Sequence, residues 1–331
     1  MPLTLIPLVG PFHLRYPLYN AVSVRDALRA FAPDALALTP LAQGALTTPQ
    51  WQDTPEVALP HTVVPWARQV GLALYPVYEP SPDPAAPGDF RRYAQQYERV
   101  RQPLQRADAL LRPLQDKLES ALTLPRILDE AAALLAEQQR FSETQFGDGP
   151  ATDWLRARTE VMAERILALS ERRVAVLCSL DHLPFLQEAL SHADLELPPT
   201  PEPSDESRER SLLDFAFRVD VPNPAELLTK LRATPSAEAR YHEANVLLAN
   251  DHLAEALETL RRASSGDFSE PYYLPGYLLA RLGQLHDLTG DRRAALRSYR
   301  GVLALSYAPA EAVQAATEGV EHPFEGLHDS S

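Results

Sequence analysis

Two histidines stand where an α/β protein would place its chemistry. Leu3–Val9 is a short apolar run closed by Gly10 and Pro11, and His13 follows in Gly10-Pro11-Phe12-His13. A later apolar run, Val174–Leu180, is followed at once by Asp181 and His182. Each run reads as a strand buried on both faces, and open parallel sheets bind ligands beyond the carboxyl ends of their strands. His13 and His182 are therefore expected to meet above the sheet. Two imidazoles alone hold a divalent metal weakly, because catalytic zinc usually has three protein ligands. Activating a bound water also needs a nearby base, and Asp181 is the one acid adjoining either ring.

No other constellation competes. The chain has no G-x-x-x-x-G-K-[ST], no G-x-G-x-x-G, no G-x-S-x-G and no H-E-x-x-H. His61, His192, His242, His252, His286, His322 and His328 are scattered through helices and tails. Cys178 is the sole cysteine, which removes internal disulfides and cysteine-based zinc sites, and its apolar surroundings read as core. A net charge of −14 over 331 residues argues against a nucleic-acid partner. The most basic stretch, Arg91–Lys117, is interleaved with Glu98, Asp108 and Asp116 and reads as a solvated helix face. No apolar run approaches the roughly 20 residues of a spanning helix, so a membrane location is not expected. A cytoplasmic one is, by elimination.

The elements that must hold these residues alternate at first between strand and helix. Val22–Phe31 has helical apolar spacing with Asn20 or Ser23 as cap, Ala35–Leu38 is a second strand, Val57–Leu59 a third, His61–Val70 a short helix and Leu72–Tyr78 a further strand. After the proline-rich break at Pro80–Gly88, residues 90–146 are helical in pattern, with an apolar stripe through Leu104, Leu110, Leu111, Leu114, Leu118 and Leu122. They form either an insertion in the α/β domain or a separate helical layer. A long helix capped by Thr152 or Asp153 runs to Leu169, and Leu183–Ala193 is helical again.

In order, these pieces resemble the TraB/Tiki and ChaN/erythromycin-esterase-like superfamily over roughly residues 1–195. The G-x-x-H after strand one carries the resemblance, together with Arg158–Ile166, similar to that family's R-x-x-x-M-A-x-x-I helix, and VAVLCSLDH behind it. The resemblance implies a site of histidines and glutamates for metal-assisted or acid–base hydrolysis, onto which His13, His182 and Arg158 carry over. The acids do not. Thr39 stands where the family has Glu at the end of the second strand, and Ala157 where it has Glu before the helix arginine. The glycine-rich run before the late histidine is Cys178-Ser179-Leu180-Asp181. Asp181 or Glu160, one turn from Ala157, would have to replace the missing acids.

Leu197–Glu209 is proline- and acid-rich and reads as a linker. Beyond it a pattern recurs: Ala256, Leu260 and Ala263 reappear as Ala295, Tyr299 and Val302, an offset of 39 residues, with Ala244 and Gly283 as the small residues of the preceding helices. Small residues let paired helices approach, and a large one four positions on fills the gap between pairs. Leu282–Arg300 resembles the tetratricopeptide family, whose period is about 34. The surplus falls in Ser264–Pro275, and Pro309–Val320 supplies a capping helix. The resemblance implies a concave groove for a protein or peptide partner, lined by Tyr241, Asn245, Tyr277, Gln284 and Asp287. The same helices would serve self-association.

The expected fold is thus an α/β domain over 1–196, mainly a parallel sheet with helices on both faces and a helical insertion about 90–146. A linker over 197–210 and an all-α domain over 211–331 follow. The expected function is a non-catalytic or catalytically impaired TraB/Tiki-like domain fused to a repeat module for protein binding, with no cofactor. The alternative is a hydrolase or metalloenzyme using His13 and His182 as metal ligands with a displaced carboxylate.

Overall fold

The computed structural model describes residues 2–10, 18–118, 123–217 and 223–326; His13 and Leu122 lie outside them. The chain divides into two compact units, Met1–Arg208 and Glu209–Ser331.

The first unit is built on a five-stranded sheet of order β3-β2-β4-β1-β5, with every pairing parallel. Its strands are β1 (Pro2–Leu8), β2 (Ala35–Ala42), β3 (Ala73–Tyr78), β4 (Val174–Ser179) and the short β5 (Asp194–Leu195). Side chains alternate faces along a strand, and the cores on the two faces follow that alternation. Ile6, Leu8, Leu36, Leu38, Ala175 and Leu177 pack on one face, with Val24, Leu28 and Phe31 of helix Ala21–Phe31. Leu3, Leu5, Ala35, Ala37, Val174 and Val176 pack on the other, with Ala163 and Ile166 of helix Leu155–Leu167 and with Leu183 and Leu186. Both faces are covered, which is why the strand sequences are continuously apolar.

Asn20 caps helix Ala21–Phe31 through a reciprocal box. Its Oδ1 accepts the N–H groups of Val22 and Ser23, both at 3.0 Å, and Ser23 Oγ accepts the Asn20 N–H at 2.7 Å. The expected third strand at Val57–Leu59 is helical instead, continuing through Leu59–Val63 into Val64–Gln69. Its buried residues Leu59, Val63, Val64 and Ala67 follow a helical spacing that a three-residue window cannot reveal. The expected caps of the long helix, Thr152 and Asp153, do not cap it. Trp154 precedes it with φ 49°, and Asp148 supplies the acceptor for the first turn, taking the N–H of Ala157 at 3.0 Å.

The helices between β3 and β4 send Leu114, Leu118, Ile127 and Leu135 into the first-face core, so this region packs on the sheet. Within the expected linker, helix Asp205–Ala216 begins early, with Asp205 and Glu206 at its positive end and Glu206 paired to Arg25 at 2.6 Å.

The second unit is helical. Helices Ala237–Ala249 and Leu253–Ser264 form one adjacent pair, Leu274–Leu288 and Arg292–Leu303 another, and Ala310–Glu321 packs on the latter. Ala244, Ala256, Leu260 and Ala263 share one core, and Ala295, Tyr299 and Val302 another. Tyr299 is fully buried between Gly283 and Gly319. A Cβ on Gly283 would stand 2.3 Å from the Tyr299 ring, and one on Gly319 2.4 Å. Replacing glycine by alanine in a helix ordinarily gains about 1 kcal/mol. Here overpacking against a rigid ring outweighs it, and Gly283→Ala should lower stability by about 2 kcal/mol. Gly88→Ala, in helix Ala86–Gln96 with nothing within 4 Å, should be neutral or stabilising. Melting curves of the two variants check the contrast; equal behaviour would contradict the packing.

Candidate functional site

The site develops at the carboxyl edge of the sheet. β4 ends at Ser179, and a single tight turn, Leu180–His182, leads into helix Leu183–Ala189. The His182 ring is buried, and its Nδ1 lies 2.8 Å from Thr159 Oγ1. The threonine donates its one proton to the Leu155 carbonyl at 2.7 Å, as threonines within helices often do. It therefore accepts from His182, which places the ring proton on Nδ1 and a lone pair on Nε2. Burial first, then the Arg158 charge, pushes the His182 pKa down to about 4, so the ring is neutral at pH 7.

Arg158 is buried on the same helix as Thr159 and is bound on every side by the fold. Its Nε donates to the Glu79 carbonyl at 2.9 Å, and Nη1 donates to the Asp153 carbonyl at 3.2 Å and to the Asp153 carboxylate. Its Nη2 donates to the Tyr78 hydroxyl. Four of the five guanidinium N–H groups are thus used. The Tyr78 ring also stands edge-on to His182, with centroids 6.2 Å apart. Of the residues drawn from the sequence, Arg158 and His182 share this neighbourhood, and His13 is outside the described residues. Glu160 does not join them. It is exposed, whereas Arg158 and Thr159 beside it are buried. Thr39 is fully buried, with no partner for its Oγ1 among the described residues.

A carboxylate that the sequence did not single out lies at the same edge. Glu56 is buried and accepts the Gly10 N–H at 2.8 Å. Gly10 has φ +55°, a left-handed conformation that glycine adopts without strain, and this turns its N–H toward the carboxylate. The Ser179 hydroxyl donates to Glu56 as well, so the acid bridges the ends of β1 and β4. Burial dominates these two bonds and lifts the Glu56 pKa to about 7, with Asp181 adding repulsion. Asp181 is itself exposed although protein crowds round it, the situation of a group in a concave wall. Its pKa is raised by desolvation. No motif announces Glu56; Thr54-Pro55-Glu56 reads as an ordinary loop.

No family model, no curated protein and no solved structure matches this chain. The site is therefore judged on its own donors. Among the described residues no three His, Cys, Asp or Glu side chains are grouped to hold a metal ion. At this edge the described residues offer the His182 Nε2 lone pair, the Asp181 carboxylate and Glu56, which is engaged by Gly10 and Ser179, leaving fewer free ligands than the three that catalytic zinc usually takes from a protein.

In the helical unit the five expected groove residues divide. Tyr241 belongs to the core, stacked on Tyr277 with centroids 6.4 Å apart. Asp287 is no groove residue: its fully buried carboxylate accepts from Arg292 at 3.0 Å, the Tyr299 hydroxyl at 3.0 Å and the Phe324 N–H at 2.9 Å. Tyr277 is half-buried and donates to Glu311 at 3.1 Å, and Gln284 accepts from Arg281 at 2.9 Å. Asn245 is half-buried, and its Oδ1 has no partner among the described residues.

A carboxyl whose pKa is raised on folding favours the folded state below its unfolded pKa, and loses that contribution as the pH rises through the folded value. For Glu56 the window runs from the ordinary glutamate value of 4.5 to about 7. Glu56→Gln keeps the acceptor for Gly10 and removes the buried charge. It should melt higher than the parent at pH 8, by an amount worth at most on the order of 3 kcal/mol, and converge with it near pH 4.5. A pH–melting profile unchanged by the substitution would show that Glu56 is not desolvated.

Proposed function

We propose that the chain is an adaptor: an α/β unit that has kept the family-like arginine and histidine as parts of its fold, joined to helical hairpins of tetratricopeptide type that engage a protein partner. The observation that carries this reading is the commitment of Arg158, whose N–H groups are taken up by Tyr78, Glu79 and Asp153 while less than a tenth of the residue is exposed. A guanidinium so bound has little left to offer a substrate. His182, neutral and held through Thr159, contributes one lone pair and belongs to no group of three potential ligands among the described residues. In the helical unit, the unpartnered Asn245 Oδ1 suits a donor brought by a bound peptide.

Glu56 favours a second reading, acid–base hydrolysis with a displaced carboxylate. A buried acid with a pKa of about 7 is poised for proton transfer at neutral pH. On this reading Glu56 replaces the acids missing at Thr39 and Ala157, with Asp181 beside it at the same edge.

Metal analysis of the purified full chain, with His13→Ala and His182→Ala beside it, tests the adaptor reading against a metal-dependent site. The adaptor reading expects less than stoichiometric metal in all three proteins. Stoichiometric metal in the parent that both substitutions remove would overturn it. Arg158→Ala should destabilise the protein by on the order of 3 kcal/mol, because Asp153 loses its buried partner. A melting temperature unchanged by this substitution would remove the structural role assigned to the guanidinium. Light scattering of the full chain against residues 1–199 tests self-association through the helices, which requires the oligomeric state to differ.

A further inference from the structure

We propose that the cavity beyond the carboxyl end of β4 binds a small organic cation carrying several N–H donors, such as a primary amine or a guanidinium. The cavity has a volume of about 270 Å³ and lies between helix Ala132–Phe146, the turn at Asp148–Leu155 and the start of helix Leu183–Ala189. Leu135, Gln138, Gln139, Ser142 and Glu143 line it from one helix, at the spacing of a single helical face. Leu135 and Phe185 give it apolar surface. Its size suits a small molecule and not a folded partner.

The charges on its wall leave one group unbalanced. Glu143 is paired with Arg156 at 2.7 Å, and Asp153 with Arg158. Asp148 accepts the N–H groups that open helix Leu155–Leu167. Arg91, the one cation on the wall among the described residues, faces Asp108 at 3.5 Å. That leaves the Asp181 carboxylate, to which no hydrogen bond or ion pair is made among the described residues.

Gln139 independently points to a ligand with donors. It is 6% exposed and lines the same cavity. Its Nε2 donates to the Asp181 carbonyl at 2.6 Å, which fixes the orientation of the amide, since only the nitrogen can donate. The other amide atom, Oε1, is then a buried acceptor with no partner among the described residues. Buried acceptors of this kind are rare because leaving one unmet is costly. An ammonium or guanidinium group answers both needs, giving one N–H to Gln139 Oε1 and its charge to Asp181. Neither His182 nor Glu56 lines the cavity, so the site stands whichever reading of that edge holds.

Calorimetric titration of the full chain with agmatine and putrescine at low salt tests the site, with choline as a cation lacking N–H donors. Agmatine or putrescine should bind saturably at one site per chain, and choline about tenfold more weakly or worse. The Asp181 carboxylate is exposed and its charge is desolvated, so Asp181→Asn and Asp181→Ala should melt no lower than the parent while weakening binding about tenfold or more. Glu160→Gln, exposed on the next helix and outside the cavity, should bind as the parent does. Absence of saturable binding by both amines, binding retained in both Asp181 variants, or choline binding as tightly as agmatine would each overturn the proposal.

Discussion

The carboxyl edge of the sheet depends on where the Arg158 charge goes. An ionised guanidinium removed from water costs several kcal/mol unless its donors are met, so its neighbours are constrained to supply acceptors. Tyr78 and Glu79 at the end of β3 and Asp153 in the turn before the helix do so. The turn is thereby fastened to the strand, and Trp154 is held at positive φ where the helix begins. Asp148 can then reach back to the first helical N–H groups. Thr159, next along the helix, orients His182. One buried charge thus fixes a strand end, a helix start and an imidazole tautomer.

Buried carboxylates on the α/β edge and in the helical unit meet different surroundings. Asp287 is surrounded by donors from Arg292, Tyr299 and Phe324, and its side chain is fully enclosed. Glu56 has a backbone N–H and a serine hydroxyl, and burial outweighs those two bonds. In the helical unit Arg210 pairs with both Asp214 and Glu238 deep in the interior, yet burial still lifts the Asp214 pKa to about 7. Counting acids near a site therefore says little. The donors each acid meets decide whether it serves as a fastening, a proton-binding group or a point left for a ligand.

The legible parts of the sequence were those governed by a repeating spacing. The continuous apolar strands and the Asn20 cap follow from local chemistry, and the recurrence of small and large positions marks the paired helices, although Gly283 meets the Tyr299 ring where the spacing set it against Ala295. What escaped was set by contacts between distant residues. Val57–Leu59 is too short for its period to be read, and Glu56 lies 46 residues from the glycine that binds it. Asp148 caps a helix it does not immediately precede. Asp287 occupied a plausible groove position by its place in the helix, but the Tyr299 hydroxyl and Arg292 draw it inward.

Gly10 and His182 need not imply catalysis, because each has a structural use at the same edge. The left-handed turn at Gly10 directs its N–H to Glu56, and His182 fills the space beside Tyr78 while binding Thr159. Replacing either would leave an acid or a hydroxyl without its partner. Asp181 differs. Its backbone carbonyl holds Gln139 while its carboxylate remains exposed, so the fold uses the main chain of that residue and leaves the side chain available. A carboxylate free of structural duty at the end of a buried strand is where ligand contact can occur without disturbing the charge balance that holds the edge together.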